Sequence, residues 1–575
     1  MRVLGINDGI NGTACLLEDG AIRYCIQEER LTNIKNYIGF PRRAIAAILK
    51  QAGLSGGDLD AVAIASFSVF TTPDPALGLA EVYHRTDTSP LLARILDFGM
   101  KTPLYSMYSG QKRKRRLANL DEFGIPGDRI VFLDHHLCHA ASAYYACPWK
   151  EEDVLVLTCD GSGDGLCATV YTGKDGALTK VAETAAGSSI GDIYARVTFM
   201  LGFVPHEHEW KIMGMAPYAP PKGTGKSYER FRKYLSVPDG SLTFRRDIPE
   251  PTNLIYRRLR RDFEFHRFDW ICGGVQGITE DLLEQWVRNA IRKTGIRKVA
   301  LAGGVFMNVK ANKRIMEMAE VSDLFVFPSC GDESTAIGAA YRAYAEKRRE
   351  SGEEVKIPPL GEIYFGLSFT GREVEEAVAR RPGKLLLSHS PDIEKEVAAL
   401  VEGGAVVARC KDRMEFGARA LGNRSILADP ANQGCVRTIN MMVKKRDFWM
   451  PFAPVVSRER QDACIVNPKR VKSPHMMLSF DTTGKREEFI AAVHPADLTA
   501  RAQILEEAHN PAYYRILTEF ERLTGRPVLL NTSFNLHGYP IVHGPEEALW
   551  VFENSGLEYL ALGDFMITRE HAAGA

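Results

Sequence analysis

The sequence predicts an α/β fold in two parts, a duplicated core followed by a second, smaller α/β domain. Three observations carry the prediction. The order apolar strand, Asp/Gly loop, apolar strand, Asp-Gly turn occurs twice, from Val3 and again from Val154. Two later apolar runs, starting at Val299 and Leu324, each lead through glycine into a helical pattern. The charged, apolar-poor stretch 346–359, ending in Pro358-Pro359, then separates these units from residues that alternate helix and strand patterns to the end.

In the first copy Val3 to Ile6 runs into Asn7-Asp8-Gly9, Ala14 to Leu17 follows, and Glu18-Asp19-Gly20 turns into a third strand. In the second, Val154 to Thr158 runs into the loop Asp160 to Gly165, then Leu166 to Tyr171, then the turn Lys174-Asp175-Gly176. Short aliphatic runs joined by Asp-Gly turns are a hairpin signal. Gly-rich turns leave backbone N–H groups able to face an anion, and paired hairpins of this kind present two phosphate loops in the actin/hexokinase type of fold. Thr279 to Lys293 predicts a helix, Val299 to Leu301 a strand, and Gly303-Gly304 a turn into helix from Val305. Leu324 to Phe327 predicts a strand and Thr335 to Lys347 an Ala-rich helix. Such a strand, turn and helix N-terminus is a nucleotide or anion seat, or else an ordinary βα connection. A boundary near residue 352 divides domains 1–352 and 353–575, and Thr370-Gly371-Arg372-Glu373 reads as a capping box opening a helix of the second.

Composition narrows the class. With 575 residues, 45% hydrophobic and 25% charged, the chain has the makings of packed cores rather than long disorder. Its 72 basic and 72 acidic residues cancel, which argues against a partner gripped by overall charge, so neither nucleic acid nor a membrane surface is expected. No apolar run approaches a membrane span or a signal-peptide core. Eleven scattered cysteines with no Cys-x-x-Cys pair indicate neither a disulfide framework nor a zinc ribbon, and a soluble protein of the reducing cytoplasm is the expectation.

Two regions carry chemistry. Asp134 precedes His135-His136-Leu137-Cys138-His139 and an Ala-rich run, so the aspartate caps a helix on which His135 and His139 share a face. Two imidazoles so placed can hold a divalent metal, with Asp160 at the end of the next strand supplying an oxygen. His206-Glu207-His208-Glu209 has the spacing of a solvated loop, while Lys211 just beyond it is a candidate phosphate contact. Residues 401–450 hold nine basic and five acidic side chains, a local +4 in a neutral chain. Within them Arg419 and Arg424 bring two guanidinium forks close together, suited to phosphate or carboxylate oxygens. Asn531 to Asn535 follow an apolar strand and offer amides and hydroxyls. The basic runs 112–116 and 257–261 read as solvated faces.

Seven motifs in order, HHLCHAASAYY, CDGSGDG, KIMGMAPY, AGGVFMN, GARALGNRSIL, VKKRDFWMPFAP and LNTSFN, give the chain a resemblance to the NodU/CmcH family of ATP-dependent O-carbamoyltransferases. The resemblance implies an actin/hexokinase-like N-terminal domain similar to the threonylcarbamoyl-transfer proteins, and a YrdC-like C-terminal domain. It implies that the latter makes carbamoyl-adenylate from carbamoyl phosphate and ATP with Mg²⁺, and that the former passes the carbamoyl group to a hydroxyl of a small molecule or sugar. By position, His135, His139, Asp160 and Asp332 would hold an iron-like divalent metal, and His135, His136 or His139 would take the acceptor's proton. Gly303, Gly304 and Asn308 would seat adenosine, with Lys211 near phosphate. Arg419, Arg501 and Ser533 would contact carbamoyl phosphate, and Arg424, Lys444 and Asn531 the ATP phosphates. The chain departs from the family pattern at Ile10, where a histidine is usual, and at Met450, where an arginine is common and Lys445 or Arg446 can stand in. A small-molecule kinase of the actin/hexokinase superfamily and a non-catalytic nucleotide-binding regulator are the alternative readings. The kinase reading leaves the histidine cluster and the basic C-terminal segment without work.

Overall fold

Each predicted hairpin forms, and each seeds a five-stranded sheet of the same plan. A computed structural model of the chain describes residues 1–68, 83, 113–381, 385–444, 447 and 449–569. Strands β1 (Arg2–Asn7), β2 (Thr13–Glu18) and β3 (Ala21–Gln27) form an antiparallel meander, and β4 (Ala61–Ala65) and β5 (Ile130–Leu133) extend it in parallel on the β1 side. The order is β3-β2-β1-β4-β5. Strands β6 (Val154–Gly163), β7 (Leu166–Lys174), β8 (Ala177–Ala185), β9 (Lys298–Ala302) and β10 (Asp323–Val326) repeat it as β8-β7-β6-β9-β10, with the same parallel and antiparallel pairings. Two sheets with one topology, each closed by a helix after its last strand, make this part an actin/hexokinase-like duplicated α/β fold.

Those closing helices are α1 (His135–Ala146), after β5, and α4 (Thr335–Glu350), after β10. Between them in sequence lie α2 (Ile190–Met200) and α3 (Glu209–Met215). Helices α1 and α4 pack backbone to backbone: a Cβ on Gly338 would lie 1.8 Å from the Cys138 carbonyl oxygen, so only glycine permits the approach. Their apolar faces are almost wholly buried. This contact ties the start of α1 to the start of α4, where the candidate site is built.

The chain divides into two compact units, 1–29 with 36–360, and 30–35 with 361–575. The boundary expected near 352 thus moves to residues 360 and 361. The irregular stretch after α4 belongs to the first unit because it is stitched down there, Leu360 N–H donating to the Ala146 carbonyl at 2.8 Å. The second unit carries an eight-stranded mixed sheet. In chain order its strands are β11 (Leu385–His389), β12 (Val407–Cys410), β13 (Arg424–Ala428), β14 (Ala453–Ser457), β15 (Gln503–Leu505), β16 (Val528–Ser533), β17 (Tyr559–Leu562) and β18 (Phe565–Arg569). Across the sheet they run β11-β18-β17-β12-β13-β16-β14-β15. Ile426, Leu530, Leu549, Phe552, Leu560 and Leu562 are among the residues of its core. The capping box opens α5 (Gly371–Ala379) as read, Thr370 accepting from Glu373 N–H and donating its own N–H to Glu373.

All eleven cysteines are buried and none is in a disulfide. No helix among the described residues is long and apolar enough to cross a membrane. Lys445 and Arg446, and residues 69–112 apart from Tyr83, with Lys112 of the first basic run among them, lie outside the described residues.

Candidate functional site

Helix α1 starts where Asp134 caps it, its carboxylate accepting Leu137 N–H at 2.8 Å. That fixes the phase of the helix, and His135 and His139 project from one face. Their Nε2 atoms are 3.1 Å apart. Asp160, at the end of β6 in the second hairpin loop, brings Oδ2 to 3.1 Å from His135 Nε2 and 3.4 Å from His139 Nε2. Asp332, two residues before the Ser334 that precedes α4, brings Oδ1 to 3.7 and 3.8 Å from the same two nitrogens. One ligand atom from each of the four residues lies within 4.8 Å of all the others.

The surroundings hold three of the four residues. His135 Nδ1 lies 2.8 Å from Ser66 Oγ and His139 Nδ1 lies 3.3 Å from Ser334 Oγ, so both imidazoles keep a partner on the side away from the cluster. Asp160 Oδ1 accepts the N–H of Gly161 at 2.8 Å and of Gly304 at 3.3 Å, leaving Oδ2 to the histidines. Asp164 accepts the N–H of His135 at 2.9 Å. Gly163 makes room for the ring: a Cβ there would lie 2.1 Å from His135 Cδ2. Two imidazoles and two carboxylates, with His135, His139 and Asp160 each oriented by a hydrogen bond on the far side, are the donor set and supporting shell of a divalent-metal site. The residues fit such an ion.

Electrostatics agree with the geometry. Burial disfavours the His139 imidazolium, but the Asp160 and Asp332 carboxylates outweigh it and push the group up to about 9. Burial likewise opposes ionisation of Asp160, yet His135 and His139 hold its carboxyl well below the ordinary range. The cluster in its cation-free form is a carboxylate and imidazolium pair whose proton a metal would displace.

His136 stands apart from the four-residue cluster. It is fully buried, its Nδ1 lies 2.8 Å from Thr158 Oγ1, and burial first, then the neighbouring His135 and His139, hold it down to about 3. It packs between α1 and β6. Asn308 is committed as well: its Oδ1 caps the helix that follows by accepting Ala311 N–H at 3.1 Å, and its amide pairs reciprocally with Gln276 at 2.9 and 3.0 Å. Gly304 lies on Asp160, as above, and Gly303 N–H donates to the Cys330 carbonyl at 2.9 Å. Lys211 is buried on α3 with Nζ 5.2 Å from the Phe203 ring centroid. His206 is exposed, as expected of a solvated loop, with Nε2 2.9 Å from Tyr83 OH.

In the second unit the register gathers most of the predicted residues at one end of the sheet. Asn531 on β16 pairs with Leu427 of β13 and Ala453 of β14, and Ser533 pairs with Ser425. Because β15 runs parallel to β14 with Gln503 opposite Val455, Arg501 is level with Ala453 and hence with Asn531. Lys444 is buried and its Nζ donates to Ser533 Oγ at 3.1 Å and to the Asn535 carbonyl at 3.0 Å. The loop 417–424 between β12 and β13 closes over this end, with Asn531 Nδ2 donating to the Ala420 carbonyl at 2.9 Å.

Arg424 is engaged with the protein's own backbone. It is fully buried, and its guanidinium donates to the carbonyl oxygens of His543 (3.0 Å), Lys411 (2.8 Å), Asn423 (2.9 Å) and Asp412 (3.1 Å). All three guanidinium nitrogens thus donate to backbone carbonyls. Arg424→Met is expected to destabilise the fold by about 3–4 kcal/mol, four buried acceptors at roughly 1 kcal/mol each, seen as a lower urea midpoint. A wild-type midpoint with a raised KM for ATP would restore the phosphate role.

Sequence reading missed Ser66, Asp164, Ser334 and two buried carboxyls near the cluster. Burial pushes Glu333, beside Asp332, up to about 7, and Asp192 on α2 up to about 7. Only Asp164 carried a local signal, as part of the Asp/Gly loop.

The comparisons agree along the chain. Residues 2–341 match the family described as Carbamoyltransferase N-terminus, and residues 398–569 match Carbamoyltransferase C-terminus. Nodulation protein NolNO of Sinorhizobium fredii is 31% identical over 98% of this chain and 79% of its own length. Nodulation protein NolO of Bradyrhizobium diazoefficiens is 30% identical over 77% of this chain and 80% of its own. Nodulation protein U of Rhizobium tropici is 25% identical over 94% of this chain and 91% of its own. With a family match over more than half its length and a relative of this identity spanning nearly all of it, the chain belongs to the carbamoyltransferase family, an enzyme family of transferases.

Proposed function

We propose that the chain is an ATP-dependent O-carbamoyltransferase that works in two steps. Residues 361–575 make carbamoyl-adenylate from carbamoyl phosphate and ATP with Mg²⁺, and residues 1–360 pass the carbamoyl group to a hydroxyl of a small-molecule or sugar acceptor. The observation that carries this reading is the His135, His139, Asp160 and Asp332 cluster, formed by the start of α1, the second hairpin loop and the turn before α4 in a carbamoyltransferase-family chain. Phosphoryl transfer by a kinase gives that cluster nothing to do.

His135, His139, Asp160 and Asp332 would hold a divalent cation, iron-like in its mixed nitrogen and oxygen ligands, which when bound neutralises phosphate charge and polarises a carbonyl. In the cation-free chain His139 holds a proton 3.4 Å from Asp160 Oδ2. Gly304 and Gly161 fix Asp160 by their N–H groups. Lys211, Gly303 and Gly304 would serve the nucleotide. In the second unit Arg419 and Arg501 would bind the carbamoyl phosphate anion, while Ser533, Lys444 and Asn531 order its floor. Cations there offset repulsion between two polyanionic substrates.

The test mixes purified protein, ATP, Mg²⁺ and carbamoyl phosphate without an acceptor. Pyrophosphate release that requires carbamoyl phosphate is expected. ATP turnover indifferent to carbamoyl phosphate would end the proposal.

A further inference from the structure

The duplicated fold places an aspartate after the first strand of each hairpin. Asp160 follows this rule and enters the metal cluster. Its counterpart Asp8, after β1, is instead buried against Arg116, with Nε and Nη2 donating to its two oxygens at 2.7 Å each. Both side chains are nearly inaccessible, at 6% and 4% exposure, so the basic run read as a solvated face contains one residue that is nothing of the kind. The other guanidinium protons are all spent at the end of β4: Nη2 donates to the Ala65 carbonyl at 3.0 Å, and Nη1 to those of Ser66 at 2.9 Å and Phe67 at 3.1 Å.

Three consecutive carbonyls held by one side chain dictate the backbone there. Ser66 takes φ 68°, a left-handed conformation that a non-glycine residue seldom adopts unless its surroundings impose it. Asp164 grips the next turn, accepting the N–H groups of Phe67 and Ser68 at 2.9 and 2.8 Å as well as that of His135. The outcome of this conformation is a buried hydroxyl 2.8 Å from His135 Nδ1. If that hydroxyl accepts Nδ1–H, the lone pair resides on Nε2, the atom facing Asp160 and His139.

We propose that the Asp8 and Arg116 ion pair is a positioning device for the metal site, acting through the backbone of Ser66 to fix the orientation and tautomer of His135. The proposal rests on the metal reading above. It adds a chain of three residues outside the ligand set: Asp8 orients Arg116, Arg116 shapes Ser66, and Ser66 holds His135.

The experiment titrates the metal-stripped full-length chain with Co(II), reading the dissociation constant and the ligand-field absorption band. Ser66→Ala leaves the ion pair intact and is the variant safest for the fold; Arg116→Lys breaks the three-carbonyl grip. Each is expected to weaken Co(II) binding by about 10–100-fold and to shift the band, with melting temperature measured alongside. Because both act through one hydroxyl, the double variant is expected to lose no more than Ser66→Ala alone. Asp8→Asn, close in shape, probes the ion pair should Arg116→Lys fail to fold, and is expected to shift the band in the same sense by less. Wild-type affinity and spectrum in Ser66→Ala, or in both ion-pair variants, overturns the proposal, as do losses that multiply in the double variant. His139→Ala separates the two claims. Co(II) binding that survives it defeats the metal reading itself, whereas binding that needs His139 but ignores Ser66 and Arg116 defeats only the relay.

Discussion

His139→Ala is expected to abolish carbamoyl transfer to an acceptor while leaving carbamoyl-phosphate-dependent pyrophosphate release within a few-fold of wild type. His139 is wholly buried at the centre of the cluster and contributes Nε2, one of only two nitrogens among the four donors. Its loss leaves Asp160 and Asp332 facing His135 alone and removes a ligand that no neighbour can replace. Loss of the cation forfeits several kcal/mol of charge stabilisation, about 10³-fold or more at 1.4 kcal/mol per tenfold. Adenylate formation is proposed for residues 361–575, which contain none of the four cluster residues. Two measurements read the split, pyrophosphate release without acceptor and acceptor-dependent AMP release with a panel of sugars and nucleosides. Metal content after dialysis gives a third that needs no acceptor. Asp332→Asn, at a half-buried position, is expected to act in the same direction. A folded His139→Ala chain that no longer makes adenylate would refute the division of labour.

The parts of this fold that the sequence announces are those written in local patterns. Asp-Gly turns between aliphatic runs locate both hairpins, and the Asp134 cap sets the phase that puts His135 and His139 on one face. That same phase turns each successive residue by about 100°, so it already places His136 off the face, where the structure finds it buried against Thr158. The misread residues are those whose partners lie far along the chain. Nothing near Arg424 says that the His543 carbonyl will take its Nε proton, and nothing near Arg116 points to Asp8. Charge alone does not separate an arginine that binds a ligand from one that props up a backbone. The distinction is made by burial and by how many of the five donors the protein itself consumes.

Arg419 differs from Arg424 in burial, half-buried where Arg424 is fully enclosed, and Arg419→Ala is expected to lose both adenylate formation and transfer. The loop that carries it is held by several contacts of other residues. Glu415 Oε1 accepts the N–H of Leu421 at 2.7 Å and of Arg424 at 3.1 Å, and Tyr364 OH donates to the Leu421 carbonyl at 2.8 Å. Arg409 Nη1 donates to the Gly422 carbonyl at 2.7 Å. Ala418 is exposed and Arg419 half-buried, so at this point the loop turns its side chains outward. A rigid loop that carries a half-buried guanidinium is preorganised to receive an anion, and removing one preorganised donor of this kind costs about 10²–10³-fold. The urea midpoint should stay far closer to wild type than that of Arg424→Met, because the loop keeps its backbone partners. Arg419→Lys should recover part of the loss, since it restores the charge without the planar fork. Measured as carbamoyl-phosphate-dependent pyrophosphate release, a wild-type rate in Arg419→Ala would remove this arginine from the site. A collapse of stability equal to that of Arg424→Met would instead make both arginines struts of one loop, and the anion would have to be held by Arg501 and Lys444.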